Sequence, residues 1–290
     1  MTAHCAALTK TIRLGPAVVV LPLHHPLRAA QEIAMLQLML GGRLNLGIGT
    51  GHQPHEFESF GVDIRARTAI LHEGWDIVQQ GLTSGSVDHQ GTHYRIPPTP
   101  LTIAGTGMPA LFLAGGSPDL LARAARAGAT PFISQGLRQA EAALGMKAKV
   151  ESAYRASGHT GPMPLAVQRY VFVTDDAAEM RAAADGLLRL ARTTLSLRDQ
   201  VPPRDGFLMR SVPFEGEPSI DWLLEHAPIG PADKVLRILG HDVALLQPSH
   251  ISLYTGFTGL PRAAVLTALE RLGALLPDLR RAPAALAWAS

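Results

Sequence analysis

The sequence predicts a parallel α/β fold, and three observations carry that expectation. Short β-branched or apolar runs alternate along the chain with longer segments of helical period. Apolar residues make up 47% and charged residues 17%, enough to bury a sizeable core. A length of 290 residues suits one large α/β domain, expected to span 1–290. A closed (β/α)8 barrel and a doubly wound open sheet both satisfy the alternation, and the order of elements does not separate them.

The first apolar run covers residues 12–21. A helix follows, opened by Pro26, with Leu27, Ala30, Ala34 and Leu38 at helical spacing and Gly41-Gly42 as its stop. A second strand over 43–49 leads through LGIGTGHQPHEFESFG into a helix over about 63–80. Residues 82–107 are polar and turn-rich, and VDHQGTHYRI reads as a small hairpin, so this segment is an excursion between strand–helix units. In PALFLAGGSPDLLARAARAG the strand is 110–114, Ser117 is the N-cap, Pro118 the first helical position and Gly128 the stop. Strand 130–133 with helix 137–157 follows, then strand 165–173 with helix 177–193. The stretch 194–230 shows no convincing period and carries five prolines and three glycines, the composition of a long loop. A helix over 231–239 ended by Gly240, a strand over 250–254 and a helix over 261–276 complete six strand–helix pairs, where a closed barrel needs eight.

Charge and cysteine usage narrow the function classes. The net charge is +2, and 22 arginines and 4 lysines are scattered rather than gathered in a stripe, so no nucleic-acid partner is expected. The single cysteine, Cys5, excludes an intrachain disulfide and a cysteine metal cluster, in keeping with a reducing compartment; the cytoplasm is the expected location. No apolar run reaches the length of a membrane span, and no signal peptide or membrane partner is expected.

The stretch LGIGTGHQPHEFESFG is the most unusual in the chain. Gly47, Gly49 and Gly51 give GxGxG, not the GxGxxG of a dinucleotide fold, and no Gly-Lys-Ser/Thr follows to make a phosphate loop. His52, His55 and Glu56, joined by His24 and His25, form a weak metal pattern without helical support, and no metal is expected. Tight-turn glycines at a strand end are the plainest account, but they leave the rest of the stretch unexplained.

The segment IRLGPAVVVLPLHHPLRAAQEIAMLQLMLGGRLNLGIGTGHQPHEFESFGVDIRAR closely resembles the bacterial-luciferase-like family of flavin-dependent monooxygenases. In that family a strand, an LP-x-x-HP turn, a helix, a GGR-x-x-x-G-x-G-x-G strand and an EF-x-x-FG loop follow in this order. LFLAGGSPDLLARAARAG and the closing YTGFTGLPRAAVLTALERLGALLPDLR are similar to later units of the family. The resemblance implies a TIM barrel with excursions at 82–107 and 194–230. It also implies two βα units ahead of the first strand, roughly 60 residues at about 30 per unit, so the chain reads as a barrel truncated to about six units. In several relatives those units supply an active-site histidine, and His4 does not match that position, which leaves the catalytic residues unassigned.

The resemblance further implies a flavin site at the C-terminal strand ends. Ala17 and Val18 match a non-proline cis peptide beneath the isoalloxazine; Gly49 and Thr50 lie at the flavin edge; Gly115, Gly116 and Ser117 match the phosphate site at a helix N-terminus; Ser134 and Gln135 complete the set. Many relatives carry an arginine where Thr50 stands and an aromatic residue where His52 stands. His24, His25 and His52 are expected at the substrate cavity, whereas Glu56 and Phe57 anchor the loop, and Arg43 and Trp75 are structural. The implied reaction oxidises a small organic substrate with O2 and reduced FMN, supplied by a separate flavin reductase, in a homo-oligomer or dimer. A deazaflavin-dependent oxidoreductase on the same fold is the alternative within enzymes. A non-catalytic truncated barrel or partner subunit is the alternative outside them.

Overall fold

The computed structural model describes residues 1–103, 105–199 and 201–286, with side chains described up to residue 280. Ala104 and Gln200, within the two expected excursions, and the last four residues of the alanine-rich tail lie outside the described residues. The chain forms two compact units, one comprising Met1–Pro131 and Ala156–His159, the other Phe132–Arg155 and the chain from Thr160 onward.

The first unit opens with helix α1 (Thr2–Leu8). Strand β1 (Val19–Val20) is shorter than its apolar run; ahead of it only Leu14 forms a bridge, with Leu44. After a 3-10 turn at Leu21–Leu23 comes α2 (Pro26–Leu40), which Pro26 begins and Gly41, left-handed at φ 54°, ends as expected. Strand β2 (Asn45–Gly49), the short helix α3 (Pro54–Ser59) and α4 (Arg67–Ser84) follow. The expected hairpin is present as β3 (Ser86–Gln90) and β4 (Arg95–Pro100). Strand β5 (Ala110–Ala114) and helix α5 (Pro118–Ala127) complete the unit, with Gly128 left-handed at φ 64°. Strands β1, β2 and β5 pair in parallel in that order, register Val20↔Gly49 and Gly49↔Ala114.

On β2 the period-two alternation sends Leu46 and Ile48 into a core shared with Ala30 and Ile33 of α2 and Leu71 and Trp75 of α4. Burial of such side chains contributes roughly 1.5–3 kcal/mol each. Trp75 is fully buried with the Arg123 guanidinium 4.7 Å above its ring, and Arg43 donates to the carbonyls of Thr9 and Ile12, so both are structural as expected.

Strand β6 (Thr130–Ser134) carries the chain into the second unit. The helix expected over 137–157 starts later, as a 3-10 turn at Ala140–Ala143 running into α6 (Leu144–Ala156). The strand expected over 165–173 is divided into β7 (Ala166–Tyr170) and β8 (Phe172–Val173), because Val171 donates to Tyr254 while Phe172 turns to a different partner, the Pro228 carbonyl. Helix α7 (Ala177–Ser196) is capped by Asp176, which accepts from the N–H groups of Ala178 and Glu179.

The stretch 194–230 is a correction. It holds a two-residue hairpin, β9 (Arg204–Asp205) and β10 (Leu208–Met209), then α8 (Ile220–His226) and β11 (Ile229–Gly230), the last paired in parallel with β8. These elements are too short to show a period, and Ser219, the cap of α8, was the legible signal. Helix α9 (Ala232–Leu246) is a second correction, since it runs through Gly240 and stops only at Gln247. Val235, Leu239, Asp242 and Leu246 are buried along it, and that packing outweighs the cost of about 1 kcal/mol for an interior glycine. Strand β12 (His250–Tyr254) matches the expected range, and α10 (Arg262–Leu286) is longer than expected. Strands β6, β7 and β12 pair in parallel in that order. No helix among the described residues is long and apolar enough to cross a membrane.

Candidate active site

In the first unit the chain leaves three neighbouring parallel strands at one end, where register partners Val20, Gly49 and Ala114 lie side by side. Ala17 and Val18 precede β1, and the peptide bond joining them is cis, as the resemblance implies. The backbone there runs close over β2, with Gly47 donating to the Pro16 carbonyl at 2.9 Å.

That approach accounts for the alternating glycines. A side chain at Gly47 would come within 2.6 Å of the Pro16 carbonyl oxygen, and one at Gly49 within 3.0 Å of Val18 Cγ2. At Gly51, where φ is +75°, a Cβ would meet Val20 Cγ1 at 2.6 Å and Phe57 Cε2 at 2.8 Å. The first two glycines therefore clear the residues around the cis peptide, and the third both turns the chain and admits the buried Phe57 ring. Phe57 anchors the loop, as expected of it. Thr50, half-buried, leaves β2 directly beside this arrangement.

Beyond β5, Gly115 and Gly116 lead to Ser117, the N-cap of α5. Gly115 has no Cβ to press on Leu120, whose Cδ1 would lie 3.0 Å away. Ser117 is exposed and makes no side-chain cap hydrogen bond. The first-turn N–H groups are thus left to an outside acceptor at the positive end of the helix dipole. Asp119, exposed in the same turn, is the one acidic group there.

The three histidines lie in the same unit. His24 is exposed after the 3-10 turn, its N–H donating to the Leu21 carbonyl. His25 caps α2 by position; its ring meets Tyr94 edge to face at 5.7 Å. His52 is exposed in the loop after β2. Among the described residues no group of three His, Cys, Asp or Glu side chains could hold a metal ion.

Beyond Tyr94, the ring partner of His25, lies a partly buried carboxylate that sequence reasoning did not single out. Glu73 of α4 accepts from the N–H groups of His93 and Tyr94, at 2.9 and 2.7 Å, and from His89 Nε2 at 3.1 Å, closing the β3–β4 hairpin tip onto the helix. Burial pushes this carboxyl up, but the backbone donors and His89 outweigh it and hold it below the ordinary glutamate value.

In the second unit, Ser134 is exposed at the end of β6, with Gln168 of β7 as its register partner. Gln135 is 1% exposed, its two amide atoms without partners, while its carbonyl accepts from Arg138. That carboxamide is sealed from solvent, and the Gln135 main chain is itself engaged, its N–H donating to the Gln168 carbonyl at 3.4 Å. Burial raises the Tyr170 hydroxyl above the ordinary tyrosine value. Tyr170 and Tyr254 were not anticipated; their position at the ends of two strands, on alternate residues, was the available signal.

The open helix N-terminus and the glycine turn before it fit a flavin phosphate in the chemistry of their donors, and the fit lacks a cation at Thr50.

Comparison with known proteins places this geometry among relatives. The Luciferase-like monooxygenase family model matches residues 1–215. The uncharacterized protein y4vJ of Sinorhizobium fredii is 32% identical over 280 residues, 94% of this chain and 79% of that protein. Among solved structures, the oxygenating constituent of 3,6-diketocamphane monooxygenase from Pseudomonas putida, determined in complex with FMN, superposes with a TM-score of 0.74 at 20% identity, covering 93% of this chain and 81% of that one. An F420-dependent secondary alcohol dehydrogenase superposes with a TM-score of 0.73 at 16% identity, covering 95% and 82%. The fold is that of the luciferase-like TIM barrels, with about six strand–helix units in this chain.

Proposed function

Because the chain belongs to the luciferase-like monooxygenase family, we propose that it is a flavin-dependent monooxygenase that oxidises a small organic substrate with O2 and reduced FMN. The observation that carries this reading is the uncapped N-terminus of α5 behind Gly115-Gly116, in the unit that also holds the cis Ala17–Val18 peptide. When bound, the flavin supplies the redox chemistry with oxygen. The chain's own residues do the rest. Ser117 and the first-turn N–H groups of α5 bind the phosphate; Ala17, Val18, Gly49 and Thr50 shape the bed of the ring system. His24, His25 and His52 border the substrate space. Reduced flavin comes from a separate reductase, and the protein works in the cytoplasm as a homo-oligomer.

A deazaflavin-dependent oxidoreductase is the second reading. It is favoured by the likeness to an F420-dependent enzyme. The test is Ser117→Ala, with FMN and riboflavin binding measured by equilibrium dialysis. FMN should weaken several-fold more than riboflavin, because hydrogen bonds to charged groups are worth about 1.5–3 kcal/mol. Equal weakening of both ligands would show that the Ser117 hydroxyl does not serve the phosphate.

A further inference from the structure

Outside the candidate active site, the second unit holds a crevice of about 290 Å3, lined from β7, α8, α9 and the 3-10 turn ahead of α6. Its floor is the pair Arg169 and Asp242. Arg169 Nε and Asp242 Oδ2 approach to 2.7 Å, yet they are out of line for a hydrogen bond, and each is a buried polar atom without a partner. Arg169 is held from behind, Nη1 donating to the Arg138 carbonyl. Two buried groups of opposite charge, side by side and incompletely bonded, are what a polar occupant would satisfy.

The walls are already fixed. His241 of α9 and Glu141 of the 3-10 turn meet at 2.8 Å and tie those two elements together. The His226 ring stacks on Trp222 at 4.4 Å and donates from Nδ1 to the Trp222 carbonyl, which seats it at the end of α8. The Glu141 charge acts on both Arg169 and Asp242, so wall and floor form one electrostatic site.

The lining decides the class of occupant. Small-molecule pockets are mostly apolar with a few polar groups, whereas of the lining side chains here only Ala140 and Ile238 are apolar. A hydrophobic ring finds little to cover it. Three carboxylates, on Glu141, Glu225 and Asp242, face two guanidiniums, on Arg169 and Arg237. Neither sign dominates, which disfavours phosphates and polyamines and favours a molecule that carries both charges. The floor charges are adjacent, so the ligand's own must be adjacent too; an α-amino acid has that spacing and longer zwitterions lack it. The volume, at the lower limit for ligand pockets, suits a molecule of that size.

We propose that this crevice binds a free α-amino acid, its carboxylate on the Arg169 guanidinium, its ammonium on the Asp242 carboxylate and its side chain at the exposed rim of Glu225 and Arg237. The site stands apart from the flavin reading, and its test needs no flavin.

The probes are L-alanine, L-glutamine and L-glutamate, each followed by equilibrium dialysis against the full chain at neutral pH. At least one should bind saturably with a Kd below about 1 mM, the range that a pair of charge-assisted hydrogen bonds reaches. Acetylating the ammonium or amidating the carboxylate of the tightest probe should each weaken it about tenfold or more, the loss expected from one such bond. The double variant Arg169→Met/Asp242→Leu, checked for folding by urea titration, should lose uptake altogether. The capped derivatives test the unmodified chain, so the proposal stays open to refutation even where that variant does not fold. Absence of saturable binding by all three probes overturns it. So does a capped derivative that binds as well as its parent, or uptake that persists in the folded double variant. Tighter binding of nicotinamide, a neutral planar amide, than of any of the three would reassign the floor pair to an amide group and overturn the amino-acid assignment.

Discussion

Arg169 and Asp242 form an ion pair at 2.7 Å with side chains only 5% and 3% exposed, on the floor of a cavity of about 290 Å3. Burial lowers the arginine and raises the aspartate from their ordinary values even though each attracts the other. Taking both charges out of water is expensive, and the pair persists because its halves protect each other. Removing one partner leaves an uncompensated buried charge. Asp242→Leu should therefore lower stability by about 3–5 kcal/mol. At about 2 °C per kcal/mol for a chain of this size, that is a fall of roughly 6–10 °C in Tm.

Arg169→Met should lose a comparable amount at neutral pH. Its loss should shrink in acid, because the raised folded-state pKa of Asp242 means a protonated, cheaply buried carboxyl below it and a buried charge above it. The double variant removes both charges. It should lie within about 1 kcal/mol of the unmodified chain, the remaining deficit being the Arg138 carbonyl that Arg169 also serves. Urea titrations of all four proteins supply the cycle. A double variant as unstable as the sum of the two single losses would refute the reasoning.

Two further outcomes follow from local geometry. Gly47→Ala should cost about 1–3 kcal/mol, because its Cβ meets backbone at 2.6 Å. The same change at Gly145 in α6, with nothing within 4 Å, should stabilise by about 0.4–1 kcal/mol; equal effects in thermal unfolding would contradict the close approach at Gly47. Glu73→Gln should cost about 1.5–3 kcal/mol at pH 7 and speed amide exchange at His93 and Tyr94. Since the folded-state value is depressed, the carboxylate stabilises above its unfolded pKa near 4.3 and the gap to Gln should close as pH falls below it. A gap that is constant from pH 7 to pH 3.5 would show that the charge is not what holds the hairpin.

The sequence made most of the frame legible, for physical reasons that also mark its limits. Gly41 and Gly128 end helices because each adopts a left-handed φ where the apolar period stops. Gly240 looked the same and does not, since the buried Leu239 and Asp242 on either side hold that stretch of α9 in place. Helix α8 and strand β11 went unread because seven and two residues carry no measurable period. The glycine stretch was located by its pattern, but its cause, the passage of Pro16–Val18 over β2, is a contact between distant residues. Glu73, Tyr170 and Tyr254 escaped notice for the same reason: each gains its meaning from partners on another element. The cis Ala17–Val18 peptide was reachable only through family resemblance, as nothing in composition requires it.

The most direct measurement is equilibrium dialysis of the chain against FMN, riboflavin and a phosphate-bearing 8-hydroxy-5-deazaflavin, each in 0.5 M salt to suppress long-range attraction. One flavin per chain should bind, with FMN preferred over riboflavin by about tenfold or more, the difference expected from one charge-assisted phosphate site. A preference for the deazaflavin over FMN would transfer the assignment to the second reading. Equal, non-saturating uptake of all three would contradict a flavin site at the N-terminus of α5 altogether.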